Sequence, residues 1–237
     1  MIRPPMDLAY MAAMIEKAGK MAIVRDYPAE KKDLSDFKKD LLKIKPDILV
    51  LSVTTPTLDL DLDCCRIAKK INPKIITVAK GAHFYEFDKE VLTNLGDLDI
   101  VIRGEAELAI FEIVSGEKLR DIKGISYRRG KIIFRNEERP FLENLDSLPF
   151  PARHLLNNKL YRFPDTGLPY ALILSGRGCP GSCIFCLVGK VSGKKLRTRS
   201  VKSIIEEIES CIKDFNIKTR TRGETIQQQG ERLLPLF

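Results

Sequence analysis

Asp47-Ile48-Leu49-Val50-Leu51-Ser52-Val53 is a continuous apolar run that follows Lys45-Pro46 and gives way to Thr54-Thr55-Pro56. A short apolar run with polar and proline boundaries reads as a strand buried on both faces. Downstream, a helix from about 59 to 71 leads to the strand Lys74-Ile75-Ile76-Thr77-Val78. A further helix near 89 to 95 leads to the strand Asp99-Ile100-Val101-Ile102-Arg103. Upstream, Leu8, Met11, Ala12 and Ile15 recur at helical spacing, with Gly19 at the expected C-cap, which predicts an amphipathic helix. Met21-Ala22-Ile23-Val24 reads as a short strand, and 34–44 as a helix with Leu34, Phe37, Leu41 and Leu42 inward. Such alternation predicts an α/β fold, a Rossmann-like parallel sheet with helices on both faces.

Ligands of these sheets bind beyond the carboxyl ends of the strands. Polar and small residues collect there: Ser52, Thr54 and Thr55 after one strand, Gly81-Ala82-His83 after the next, and Arg103-Gly104-Glu105 after the third. Small residues let a large flat ligand approach the backbone, and hydroxyls hold its polar edge. Ser52, Thr54, Thr55, Gly81, His83, Gly104 and Glu105 are therefore the candidate contacts. Against this stand two local readings, a hydrogen bond from His83 within its own loop and a helix-capping role for Glu105 ahead of Ala106. Cys64 is in phase with Leu60, Ile67, Ala68 and Ile71 and is assigned to the core, Cys65 to the surface.

Residues 122–127 and 131–134 flank Arg128-Arg129-Gly130 in the pattern of a hairpin. The prolines of Leu145-Asp146-Ser147-Leu148-Pro149-Phe150-Pro151-Ala152-Arg153 then pin an extended connection, and no chemistry is assigned to His154. Tyr170-Ala171-Leu172-Ile173-Leu174 reads as a buried strand, followed by Gly178-Cys179-Pro180-Gly181-Ser182-Cys183-Ile184-Phe185-Cys186. Thiolates ligate iron-sulfur clusters, and short fixed spacings let one loop wrap a cluster. Three ligands on a cluster of four irons leave one iron open to a substrate or cofactor. A zinc site completed by a distant ligand, or a chance grouping, are the other readings, although zinc sites usually pair their cysteines.

Beyond the cysteines, 187–205 carries Lys190, Lys194, Lys195, Arg197, Arg199 and Lys202 and no acid. It reads as a solvated loop, with steering of an anionic substrate or nucleic acid as the alternative. Ser200 caps a helix whose apolar face is predicted as Val201, Ile204, Ile205, Ile208, Ile212 and Phe215, with Cys211 packed at its edge. The whole chain has 237 residues, 44% of them hydrophobic, and a net charge of +8. No window approaches the roughly 18 consecutive apolar residues of a membrane span, and no signal peptide opens the sequence. A cytoplasmic protein without membrane association is expected. Six cysteines do not make a disulfide scaffold here, and their grouping favours metal binding in a reducing compartment.

The spacing of Cys179, Cys183 and Cys186, with Phe185 before the last and Gly178 ahead of the first, resembles the radical S-adenosylmethionine (SAM) superfamily. The resemblance implies that these three cysteines hold a 4Fe-4S cluster, that SAM's amino and carboxylate groups take the open iron, and that electron transfer cleaves SAM to a 5'-deoxyadenosyl radical. It places Phe185 near the adenine. PPxxLAYxAAxxEKAG from Pro4, SVTTPT from Ser52, GAH from Gly81 and RGEAE from Arg103 together resemble the cobalamin-binding domain that precedes the radical SAM core. The DxHxxG motif that supplies a histidine to cobalt elsewhere is absent, so cobalamin is expected to bind without histidine ligation.

The implied organisation is a cobalamin-binding-like domain over 1–120, a hairpin and proline-rich linker over 121–168, and over 169–237 the first unit of a partial TIM-type barrel. After Lys218 the resemblance ends: Thr219-Arg220-Thr221-Arg222 lacks a buried strand's apolar content, and only Gly223-Glu224 imitates the expected Gly-Glu pair. A fragment or frameshifted product, truncated at both ends, is expected. The implied function is that of a cobalamin-dependent radical SAM enzyme methylating or rearranging an unactivated carbon centre, served by a reductant such as ferredoxin or flavodoxin, its substrate unknown. No catalytic side chain is assigned. Rival readings are a methylthiotransferase acting on RNA, for which adjacent Cys64 and Cys65 cannot supply a spaced second triad, and a non-catalytic cofactor-binding module.

Overall fold

A computed structural model describes residues 2–215 and Ile217. The expectations for Lys218 onward, Gly223-Glu224 included, lie outside the described residues. Helix α1 (Met6–Lys17) ends in a turn where Gly19, at φ +70°, donates to Glu16 O (2.8 Å) and Lys20 to Ile15 O (3.1 Å). Met6 and every residue from 9 to 14 are buried, so the expected amphipathic helix is covered nearly all round. Met11 and Met14 pack toward the sheet, while Ala9, Ala12 and Ala13 meet Ala152, Leu156, Tyr161 and Tyr170 of the downstream chain.

The short helix α2 (Tyr27–Glu30) is capped by Asp26, and α3 (Leu34–Ile44) by a capping box of Asp33 and Asp36. Phe37 and Leu41 are buried, but Leu42 is exposed, because consecutive helical residues point about 100° apart and cannot share one face. Then follow β1 (Ile48–Ser52), α4 (Leu58–Ile71), β2 (Ile76–Lys80), α5 (Phe84–Asn94), β3 (Ile100–Ile102), α6 (Glu107–Val114), β4 (Ile125–Arg129) and β5 (Ile132–Arg135). The sheet order is β1-β2-β3-β4-β5. β1, β2 and β3 run parallel, whereas the hairpin adds β4 and β5 antiparallel, β4 lying against β3. α1 and α6 cover one face through Met11, Ile102 and Ile110; α4 and α5 cover the other through Leu62, Phe84 and Leu92.

Three expectations are corrected. Residues 21–24 form no strand: Met21 is 87% exposed, only Val24 is buried, and the segment pairs with no described strand. Residues 170–174 likewise join no ladder. Their carbonyls go to arginines instead, Leu172 O to Arg153 Nη2 (2.6 Å) and Leu174 O to Arg199 Nη1 (3.3 Å). In both segments the apolar content is that of a strand, but strand structure needs a neighbour to bond with. The third concerns α4, where Cys65 rather than Cys64 is fully buried, beside Leu62, Phe84 and Leu92. Cys64 lies on the flank against α3, half-buried. Burial pushes the Cys65 thiol up to about 12 and that of Cys64 up to about 11.

The remainder comprises β6 (Gly176–Arg177), α7 (Val188–Val191), β7 (Arg197–Thr198) and α8 (Val201–Phe215). Ser200 Oγ accepts from the Ser203 N–H at 3.1 Å, the predicted cap. The buried line of α8, however, is Glu207 and Cys211, while Val201, Ile205 and Ile212 are exposed. Glu207 turns inward to meet Arg153 and Arg199, and that rotation carries part of the apolar stripe outward. No helix among the described residues is long and apolar enough to cross a membrane.

Exchanging Cys65 for serine buries a hydroxyl among Leu62, Phe84 and Leu92 and is expected to lower stability by about 1–3 kcal/mol. Cys64→Ser should stay within about 0.5 kcal/mol. Urea unfolding of the two variants checks the order; the reverse ranking would restore the sequence-based assignment.

Candidate functional site

Helix α1 and the ends of β1 and β2 meet at Asp7. Its carboxylate accepts from Ser52 Oγ and from Lys80 Nζ (2.6 Å), so Ser52 ties the helix to the sheet. Burial works to raise the Asp7 pKa, but the Lys80 charge and the hydrogen bonds from Lys80, Ser52 and the Leu8 N–H outweigh it and hold the carboxyl below its ordinary value of 3.8. Gly81 also has a structural task. A Cβ there would stand 2.1 Å from Val53 O, so only glycine lets the loop after β2 close over the end of β1.

The rest of the strand-end group forms a polar rim. Thr54 and Thr57 share a hydroxyl contact of 2.8 Å, and Thr55 Oγ1 lies 3.4 Å from His83 Nδ1. The His83 ring stacks on Phe87 with centroids 5.0 Å apart. Gly104, at φ +75°, has no atom nearer than 3.9 Å to its missing side chain. Thr54 and Thr55 are exposed and His83 is half-buried, so hydroxyl and imidazole groups line the surface beyond β1 and β2, while a Cβ at Gly104 would touch Tyr85 and Val191 O.

Glu105 does not cap α6. Its carboxylate is gripped by Arg197, at 2.8 Å and 3.1 Å to the two oxygens, and accepts from the Leu142 N–H at 3.0 Å. Although burial pushes its carboxyl up, the Arg197 and Leu142 hydrogen bonds and the charges of Arg177 and Arg197 bring it below its usual range. Glu107 accepts from Arg177 Nη2 at 2.6 Å. Both arginines sit at the base of the cysteine loop, where β6 and β7 pair Gly176 with Thr198 and Arg177 with Arg197. Gly178, at φ +89°, passes so close to the return limb that a Cβ would lie 2.1 Å from Lys195 O.

Within the loop, the Cys179 N–H donates to Gly193 O (3.0 Å) and the Cys186 N–H to Cys183 O (3.1 Å). A Cβ on Gly181 would stand 3.4 Å from Cys179 Sγ and 3.8 Å from Cys183 Sγ, so two of the sulfurs flank one glycine. Cys183 and Cys186 are exposed and Cys179 is half-buried. Among the described residues no three His, Cys, Asp or Glu side chains converge into a ready-made cage. The donor set still fits an iron-sulfur cluster: soft ligands on one short loop, tied at its base. Ile184 and Phe185 stand beside them almost wholly exposed.

The basic segment is largely neutralised within the chain. Lys190 meets Glu86, Lys195 meets Glu143 (2.7 Å), Arg197 meets Glu105, Arg199 meets Glu207 and Lys202 lies 3.9 Å from Glu206. Sequence reasoning missed the buried triad in which Glu207, 1% exposed, joins Arg199 and Arg153, the latter at 2.5 Å. The available signal was a carboxylate in line with Ile204 and Cys211 on one helical stripe.

Asp7, with its lowered pKa, stabilises the fold fully above its ordinary value of 3.8, and that contribution is lost as the pH falls through the lowered value. The difference in Tm between the wild type and Asp7→Asn should therefore be present at pH 7 and vanish in strong acid; a gap independent of pH would contradict the assignment. Glu207→Gln leaves two buried guanidiniums without their counter-charge and is expected to cost about 3–5 kcal/mol in urea unfolding.

Residues 2–114 match the B12 binding domain family. An uncharacterized methyltransferase of Pyrococcus horikoshii, PH0819, is 32% identical over 219 residues, covering 91% of this chain and 47% of the relative. The anaerobic magnesium-protoporphyrin IX monomethyl ester cyclase of Cereibacter sphaeroides is 26% identical, covering 90% of this chain and 36% of the relative. The chain thus spans less than half the length of these curated relatives. Among solved structures, the cobalamin-dependent S-adenosylmethionine radical enzyme OxsB, seen with aqua-cobalamin and S-adenosylmethionine bound, shares the fold with a TM-score of 0.71 at 18% identity. That likeness covers 92% of this chain and 31% of the OxsB chain.

Proposed function

Because this chain belongs to the cobalamin-binding branch of the radical SAM superfamily, we propose that it provides the cofactor-holding region of an enzyme that methylates or rearranges an unactivated carbon centre. The observation that carries the reading is the joining of two sites by one network: the loop bearing Cys179, Cys183 and Cys186 is tied at its base to Glu105 and Glu107, just beyond the strand end that borders the polar rim. Cys179, Cys183 and Cys186 would hold the iron-sulfur cluster, and Thr54, Thr55, His83 and Gly104 would border cobalamin. Bound there, the two cofactors and SAM would supply the radical and methyl-carrying chemistry of this class.

The side chains of this region have the tasks of binding and orientation. Phe185, exposed beside the last thiol, offers an aromatic face to the adenine of SAM. Gly178 and the β6–β7 ladder hold the two limbs of the loop together, and Gly81 keeps the rim closed against β1. The electron would come from a reductant protein such as a ferredoxin or flavodoxin. Similarity to the Pyrococcus methyltransferase supports methyl transfer, and similarity to the cyclase supports ring closure as the second reading. A methylthiotransferase reading is the alternative, since a putative methylthiotransferase of Methanocaldococcus jannaschii is 30% identical over 176 residues, although adjacent Cys64 and fully buried Cys65 supply no spaced second triad.

Anaerobic reconstitution with ferrous iron and sulfide should yield about four irons per chain, and Cys183→Ala should abolish that uptake. With dithionite and SAM the loaded chain should release 5'-deoxyadenosine. Cluster uptake without that product would reduce the chain to a binding module. A cobalamin titration without spectral change would remove the second cofactor.

A further inference from the structure

We propose that Glu105 and Glu107 are positioning residues that fix the cysteine loop at a set distance and angle from the strand-end rim. The proposal deepens the cofactor reading above, on which its functional meaning rests, but the anchor itself is a property of the chain alone. Residues 178–196 leave and re-enter the fold through the two-residue ladder of β6 and β7, where Arg177 is paired with Arg197. Both guanidiniums turn to the same short stretch after β3. Glu105 Oε1 lies 2.8 Å from Arg197 Nη2 and 3.4 Å from Arg177 Nη1, and Glu107 Oε1 lies 2.6 Å from Arg177 Nη2. Arg197 also binds the second oxygen of Glu105, at 3.1 Å, so the contact is a two-point fork.

A fork of this kind sets orientation as well as separation, which a lysine point charge does not. All four side chains are at most 15% exposed, so water screens the contact poorly. Position in the chain adds stiffness. Glu105 follows the last residue of β3 by three positions, and Arg177 precedes Cys179 by two. Gly104, at φ +75°, supplies the turn that aims Glu105 at the loop rather than along α6. A rim contact at Gly104 and a ligand at Cys179 are therefore joined through one rigid ion-pair junction.

Hydrogen–deuterium exchange on the full chain without cofactors tests the anchor. In Glu105→Gln, exchange at the amides of Cys179 and Arg199, which bond to Gly193 O and Ser175 O across the base of the loop, should rise by about tenfold or more. Amides of β1, β2 and β3 should keep their wild-type protection. Arg177→Lys, which retains the charge and loses the joint contact with Glu105 and Glu107, should give the same pattern and carries the test if the glutamine variant does not fold. Wild-type exchange at both amides in both variants, or an equal loss of protection across loop and sheet, would overturn the proposal. A wild-type chain that fails to bind cobalamin while the variants show the localised pattern would remove the cofactor reading and leave the anchor standing.

Discussion

Three largely buried carboxylates facing four arginines hold the two halves of the described structure in register. Glu105 and Glu107 meet Arg177 and Arg197 at the base of the cysteine loop, and Glu207 meets Arg153 and Arg199 where the linker passes under α8. Such pairs add little net stability compared with apolar contacts, yet breaking one leaves an unpaired charge that is costly to keep buried. Their effect is selective: any other alignment of the halves would strand these charges. The apolar part of the interface could not do this alone. Ala9, Ala12 and Ala13 give α1 a shallow surface against Tyr161 and Tyr170, one on which neighbouring chain could slide. The guanidinium forks supply the direction that this surface lacks.

The parts of the fold legible in the sequence are those decided locally. β1, β3, α3 and α4 follow from apolar runs, caps and prolines within a few residues of each element. What escaped was decided by distant partners. Residues 21–24 and 170–174 have the composition of strands, but neither has a described strand to pair with. On α8 the isoleucine stripe pointed to one inward face, and burial of Glu207 turned the helix away from it. On α4 the two adjacent cysteines face different clusters, one toward α5 and the sheet and one toward α3, and the phase that picked out Cys64 followed the second.

The same division runs through the candidate site. The cysteine loop was readable because its signal is spacing, whereas the close return that requires Gly178 depends on Lys195, which is distant in sequence. Of the strand-end residues, Thr55 and His83 meet across the loops after β1 and β2, Thr54 meets Thr57, and Gly104 lies against Tyr85 and Val191. Ser52, Gly81 and Glu105 occupy the expected ends but spend their chemistry on Asp7, Val53 and Arg197. Nothing in the composition of a loop distinguishes a hydroxyl or carboxylate free for a ligand from one engaged by a residue far away in sequence.

The burial of Cys64, Cys65 and Cys211 bears on how the chain would be charged with metal. Burial raises all three thiols, to about 11 and about 12 in the first two. At neutral pH they stay protonated, and it is the thiolate that binds iron and reacts with oxidants. Three of the chain's six thiols are thereby made less acidic than an ordinary cysteine, and so less ready to bind metal, by proton affinity rather than by shape or spacing.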